Sequence, residues 1–178
     1  MENLIYTQIS NGKVSKCYQS NNVIKKVFNL DVNRMDYEIA ALLILRPYRG
    51  FPYLFKVDKQ NKCFYMSNVG KSFKDIKKKE EIPSNLQDQI DILISILKMN
   101  NIFHRDLSIS HFRVNDDNIV SLIDFEKCWY TKEQFDINKA KNTSCWQKLN
   151  YHNMDYIKTI INNYLKYTFK DDDSILLI

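Results

Sequence analysis

Residues 102–126 read IFHRDLSISHFRVNDDNIVSLIDFE. Two runs of apolar and β-branched residues, Phe112-Arg113-Val114 and Ile119-Val120-Ser121-Leu122-Ile123, flank Asn115-Asp116-Asp117-Asn118. Four turn-forming residues between two such runs predict a pair of short strands joined by a turn. Asp106 precedes the first strand and Asp124 closes the second, 18 residues later. A carboxylate that closes an apolar strand is costly to bury without a partner. The hairpin therefore brings two acids towards each other. One can accept a proton from a nucleophile and the other can hold a divalent metal.

Upstream of this stretch, Pro83-Ser84-Asn85 opens a helix that runs to Asn100-Asn101. Leu86, Ile90, Leu93, Ile94 and Leu97 form its apolar stripe, and Ser84 and Asn85 are the expected caps. Further upstream, Lys13 to Gln19 and Val23 to Phe28 read as strands around Ser20-Asn21-Asn22. Asp31 to Leu45 reads as a helix, with Met35, Ile39, Leu42 and Leu43 recurring at helical spacing and Arg46-Pro47 ending it. Tyr53–Val57 and Lys62–Met66 read as another strand pair, and Gly70 breaks the chain after them. Downstream, Met154 to Tyr167 reads as a last helix with Ile157, Ile160, Ile161, Tyr164 and Leu165 on one face. The expected fold class is α+β: a β-rich part with one helix over 1–66, a connection at 67–70, and a mainly helical part over 71–178.

Lys25 lies in the strand Val23–Phe28, and Glu38 lies on the helix that follows. A lysine on a strand supplies positive charge for phosphate oxygens, and a helix glutamate can pair with it and orient it. Strand alternation puts Lys25 and Lys26 on opposite faces, so one of the two points at any site on this sheet.

The chain has 178 residues, a length for one domain of ordinary size. Its 44% hydrophobic and 13% aromatic content excludes a disordered or collagen-like chain. No apolar run approaches a membrane span, and MENLIYTQIS lacks a basic-then-apolar signal pattern, so an intracellular, cytoplasmic protein is expected. Cys17, Cys63, Cys128 and Cys145 have wide, irregular spacing, which reads as free thiols rather than a zinc cluster or disulfide framework. The net charge of +5 is concentrated in the first 100 residues. The run Lys71, Lys74, Lys77, Lys78 and Lys79 is followed at once by Glu80 and Glu81 and is expected to be a solvated face, not a nucleic-acid interface. Three glycines leave no room for a glycine-rich phosphate loop.

Taken in order, these pieces resemble the protein-kinase-like superfamily over nearly all of residues 5–168. Val23-Ile24-Lys25 resembles the lysine strand, Glu38-Ile39-x-x-Leu42 the glutamate-bearing helix, and Phe64 to Gly70 the strand running into the hinge. His104-Arg105-Asp106-Leu107 resembles the catalytic loop, and Asp124-Phe125-Glu126 stands where these enzymes carry Asp-Phe-Gly. Gly12-Lys13-Val14-Ser15-Lys16-Cys17-Tyr18 and Asp106-Leu107-Ser108 are similar to motifs of RIO-type atypical kinases. Asp-Phe-Glu is similar to the corresponding motif of lipopolysaccharide-core and choline kinases.

The resemblance implies a bilobal fold with a small β-rich N-lobe and a reduced C-lobe. It also implies ATP with Mg²⁺ or Mn²⁺ as cofactors and transfer of the γ-phosphate to a hydroxyl, as in a serine/threonine protein kinase acting on a protein substrate. Lys25 would contact the phosphates and pair with Glu38, and Asp106 would orient and deprotonate the acceptor. Asp124 would bind the metal. Gly12 and Ser15 would form the nucleotide loop. Val23 would pack on the adenine beside Met66, and the backbone of Ser67 and Val69 would meet its edge. Asp155 would brace the catalytic loop.

Two positions depart from the family pattern. His111 stands where a second, oxygen-donating metal ligand is usual, and imidazole suits Mn²⁺ better than Mg²⁺. Arg113 stands where an apolar residue lies under the adenine, so its guanidinium either stacks on the base or fills the pocket. These departures carry an alternative, a pseudokinase acting as a binding module on a partner protein. The Asp-Phe-Glu motif and the short second part carry a third, a small-molecule kinase.

Overall fold

The computed structural model describes residues 5–29 and 32–130, with helical backbone also at Thr159 and Asn163. Those two positions fall in the helix expected over Met154–Tyr167. The other positions of that expected helix, Asp155 among them, and Cys145 lie outside the described residues.

The described chain is mixed α and β. Five antiparallel strands, β1 (Thr7–Asn11), β2 (Ser15–Ser20), β3 (Val23–Phe28), β4 (Leu54–Asp58) and β5 (Cys63–Ser67), form one sheet in the order β1-β2-β3-β5-β4. The strand β1 was not anticipated from the sequence; its five residues are all exposed, so no buried periodicity marks it. The turn between β2 and β3 is built on Asn21 at φ 50, a conformation asparagine tolerates. Helix α1 (Val32–Leu45) connects β3 to β4, and β5 returns between them.

The buried face of α1 carries Met35, Glu38, Ala41, Leu42 and Leu45. Leu43, expected in the stripe, is 52% exposed. Helical spacing from Met35 passes through 38, 42 and 45, so the carboxylate of Glu38 takes the place in the inner face that a leucine would fill.

Residues 68–70 lead to β6 (Lys71–Ser72), and a 3-10 turn at Phe73–Asp75 follows. Helix α2 (Leu86–Met99) buries Leu86, Ile90, Leu93, Ile94 and Leu97, the stripe expected from the sequence. Asn85 makes no side-chain cap; its carbonyl oxygen Oδ1 accepts from Gln89 Nε2 at 2.8 Å. Asn101, at φ 53, turns the chain out of the helix. Then come β7 (Ile102–Phe103), β8 (Phe112–Val114), β9 (Val120–Leu122) and β10 (Trp129–Tyr130). β6, β8 and β9 form a three-stranded sheet, and β7 pairs with β10. Residues 71–130 thus hold five short strands beside a single α-helix, where the sequence suggested a mainly helical part.

The core is continuous. Phe28, Phe64 and Met66 of the first sheet join Leu42 and Leu45 of α1, the stripe of α2, and Phe112, Leu122 and Phe125. Cys17, Cys63 and Cys128 are free thiols. Among the described residues, no helix is long and apolar enough to cross a membrane.

Gly70 lies where the two sheets meet. Its φ is +103, and a Cβ there would stand 2.1 Å from the carbonyl oxygen of Val114. Backbone, not a movable side chain, fills that space. Gly70→Ala is expected to destabilise the protein by at least about 2 kcal/mol, from the strained φ and the displaced β8 edge. Urea unfolding checks it; an unchanged midpoint would contradict this close crossing.

Candidate functional site

Alternation along β3 decides which lysine enters the site. Ile24, Lys26 and Phe28 are buried, while Val23, Lys25 and Val27 lie on the opposite, half-exposed face. Lys26 stands across from Cys17 on β2 and Phe64 on β5. Lys25 lies outside, with its ammonium 6.0 and 5.7 Å from the ring centres of Tyr6 and Tyr65. The expected pairing of Lys25 with Glu38 is therefore corrected: Lys26 makes it. Val23 shares the outer face with Lys25 and does not line the cavity; Ile24 does. The readable signal was the alternation itself, because Lys26 sits between the larger apolar residues Ile24 and Phe28.

The Lys26 side chain is 4% exposed and meets three carboxylates. Its Nζ donates to Glu38 Oε2 at 2.7 Å and to Asp124 Oδ1 at 2.8 Å, and lies 3.5 Å from Glu126 Oε2. Glu38 Oε1 accepts from the Phe125 amide at 3.3 Å, so α1 grips the segment that carries Asp124. Glu126 Oε2 accepts from Ser15 Oγ at 3.2 Å, and its Oε1 faces Arg34 at 3.6 Å. Asp124 takes a left-handed conformation, φ 70. Such backbone in a non-glycine residue persists only where surrounding contacts fix it.

The charges set each other's protonation. Burial disfavours charge on Lys26, but the three carboxylates outweigh it and hold its pKa well above the ordinary value. Burial raises the Glu38 carboxyl, Lys26 pulls it down, and Asp124 and Glu126 add like charge; its pKa lies at about 7. Burial also opposes ionisation of Asp124, but the charge and hydrogen bond of Lys26, with His111 and His104 beside it, bring it to about 2. Asp124 is thus a firm anion at any physiological pH.

Two cavities adjoin here, and the larger of them reaches this cluster. One, of about 590 Å³, is lined by Gly12, Ser15, Lys26, Glu38, Asp124 and Lys127 among others. The other, of about 360 Å³, runs between Ile24, Met66, Ser67, Val69, Arg113 and Ile123. Cys17, Met66, Arg113 and Ile123 line both. Of the residues singled out in the sequence, Gly12, Ser15, Glu38, Met66, Ser67, Val69, His111, Arg113 and Asp124 all line one cavity or both. The Ser67 amide donates to the Tyr53 carbonyl at 2.9 Å, so that N–H is not open to a ligand. Desolvation lowers the pKa of Arg113, and its Nε is buried without a hydrogen bond.

Asp106 joins the larger cavity through Lys127, which lines it and donates to Asp106 Oδ2 at 2.8 Å. His111 Nδ1 meets the Asp106 carbonyl at 2.5 Å, and its Nε2 stands 3.4 Å from Asp124 Oδ2. His104 is buried. Its Nε2 lies 2.9 Å from the Ile123 carbonyl, and burial pushes its pKa down to about 4, so it stays neutral. It packs edge-on against Phe125, ring centres 4.8 Å apart.

Oxygens of Glu38, Asp124 and Glu126 lie within 4.8 Å of one another, but the Lys26 ammonium already occupies the space among them. The donor pair that faces the cavity is Asp124 Oδ2 with His111 Nε2. One carboxylate and one imidazole fit Mn²⁺ better than Mg²⁺.

Three contributors were missed in the sequence: Glu126, Lys127 and Cys17. Glu126 was read only as a replaced glycine, although a second acid two residues after Asp124 alternates back to the same side. Lys127 carried no sequence signal, because its partner lies 21 residues away. Comparison of the chain with protein-family models and with curated proteins finds no match.

The cluster leaves a pH signature. The folded Glu38 pKa is raised from 4.5 to about 7, so its contribution is full below pH 4.5 and is lost as pH rises through 7. The folded His104 pKa is lowered from 6.5 to about 4, so its contribution is full above pH 6.5 and is lost as pH falls towards 4. The two oppose each other between about pH 4.5 and 6.5. Glu38→Gln is expected to steepen the acid-side loss of stability, read as the urea midpoint across this window. Parallel wild-type and variant curves would contradict the raised Glu38 pKa.

Proposed function

We propose that the chain is an ATP-dependent phosphotransferase on a reduced, bilobal kinase-like fold, moving the γ-phosphate to a hydroxyl of a protein substrate. The observation that carries this reading is Lys26, held by Glu38 of α1 and by Asp124 after β9 in the larger of two adjoining cavities. A fixed ammonium beside a firm carboxylate is what a triphosphate and its metal ion require. The smaller cavity, apolar on the Ile24 and Met66 side, suits a purine, with the Arg113 guanidinium as a stacking plane.

In this reading Lys26 binds phosphate oxygens and Glu38 keeps it in place. Asp124, with His111, would hold Mn²⁺ or Mg²⁺, which when bound neutralises phosphate charge. Asp106 orients the acceptor hydroxyl and takes its proton. Ser15 and Gly12 cover the phosphates. Free thiols and an ATP requirement suit a reducing cytoplasm.

A second reading, a pseudokinase acting as a binding module on a partner protein, is favoured by Arg113 in the base cavity and His111 at the metal position. A small-molecule acceptor remains the third, and a metabolite panel separates it from a protein acceptor.

The expected result is phosphate transfer from ATP to lysate protein with Mn²⁺ or Mg²⁺, reduced about 10³-fold in Asp106→Asn and Asp124→Asn. A nucleotide-dependent rise in Tm without transfer would favour the second reading. Neither transfer nor a Tm shift at millimolar nucleotide would contradict the phosphotransferase reading and favour a pseudokinase whose pocket Arg113 fills.

A further inference from the structure

We propose that Lys127 is the cation that bridges Asp106 to the transferred phosphoryl group, a task that the catalytic loop itself does not perform. This rests on the phosphotransferase reading. A carboxylate that takes a proton from an acceptor must sit close to a dianionic γ-phosphate, and two such anions need a cation between them. Ser108, two residues beyond Asp106, is uncharged and cannot supply it; its hydroxyl pairs with Ser110 Oγ at 2.7 Å. Lys26, which binds nucleotide phosphate oxygens in that reading, pairs with Glu38, Asp124 and Glu126 rather than with Asp106. Arg34 faces Glu126.

Lys127 is differently placed. It follows Asp124 by three residues, lines the same cavity as Lys26 and Asp124, and donates to Asp106 Oδ2 at 2.8 Å. Its side chain is 43% exposed, so the ammonium keeps donors for a ligand beyond Asp106. The chain thereby brings Asp124 and the bridging cation into the cavity on one four-residue stretch, with Glu126 between them fixed by Ser15 and Lys26.

In the transfer step the acceptor oxygen forms the new bond to the γ-phosphorus. The bond from that phosphorus to the β–γ bridging oxygen breaks, its electron pair stays on ADP, and the acceptor proton goes to Asp106. Lys127 exchanges no proton. It holds the transferred group's oxygens beside Asp106 and offsets their charge.

The test compares wild type, Lys127→Met and Lys127→Arg in the full chain. The Lys127–Asp106 pair is partly solvent-exposed, so Tm is expected to stay within about 2 °C. Wild type is expected to bind ATP about tenfold more tightly than ADP in calorimetry, and Lys127→Met to lose that preference while ADP affinity holds. In transfer assays kcat is expected to fall about 100-fold in Lys127→Met with KM for ATP changed less than its ATP affinity loss allows, and Lys127→Arg to restore part of it.

Unchanged ATP preference and unchanged kcat in Lys127→Met would overturn the bridging role while leaving the phosphotransferase reading intact. Loss of ATP preference in a protein that transfers no phosphate would uphold the contact and overturn the reading. A wild type that binds neither nucleotide overturns both.

Discussion

A lysine ammonium almost completely withdrawn from water needs full electrostatic compensation, and every part of the described site follows from how Lys26 obtains it. Its stem is fixed by the β3 register between Cys17 and Phe64. Its three carboxylates come from α1 and from the segment after β9. Removing one partner from such a buried group typically costs about 3–5 kcal/mol, because the others are left uncompensated. That penalty ties the first sheet, α1 and residues 124–126 to one another more strictly than apolar packing could. Apolar contacts tolerate sliding, whereas a 2.7 Å charged hydrogen bond does not.

The same compensation explains the unequal behaviour of the three acids. Asp124 reaches outward, keeps its charge and leaves its second oxygen towards His111 and the cavity. Glu38 is enclosed, spends one oxygen on Lys26 and the other on the Phe125 amide, and is the acid that accepts a proton near neutrality. Glu126 turns back to Ser15 and closes the β1–β2 turn over the cluster. Three carboxylates of similar chemistry thus take three tasks: presentation, anchoring and closure. The environment of each decides which.

Much of this was legible in the sequence. The stripe Leu86, Ile90, Leu93, Ile94 and Leu97 gave α2 because burial and helical period coincide there. The hairpin around Asn115–Asn118 was legible because turn chemistry is local. Asp124 was legible because an acid at the end of an apolar strand demands a partner, and Asp106 because it stands in His104-Arg105-Asp106-Leu107, just before the hairpin. The choice between Lys25 and Lys26 was not settled by motif spacing. It depends on which sheet face packs on α1, a tertiary fact, although Ile24 and Phe28 flanking Lys26 pointed to it. Leu43 misled for the converse reason: Glu38, a charged residue, occupies the inner face that pattern reading gives to apolar side chains. The exposed strand β1 and the short strands β6, β7 and β10 carry too few residues for periodicity to mark them.

Calorimetric titration of ATP with Mn²⁺ into Lys25→Met and Lys26→Met, with Lys26→Arg as a charge-retaining control and circular dichroism to establish folding, probes the cluster as a phosphate site. Lys25→Met is expected to bind as wild type does. Lys26→Met is expected to lose at least about tenfold in affinity, with Lys26→Arg between the two. Binding lost in Lys25→Met and kept in a folded Lys26→Met would contradict the assignment of the phosphate-binding charge to the inner face of β3.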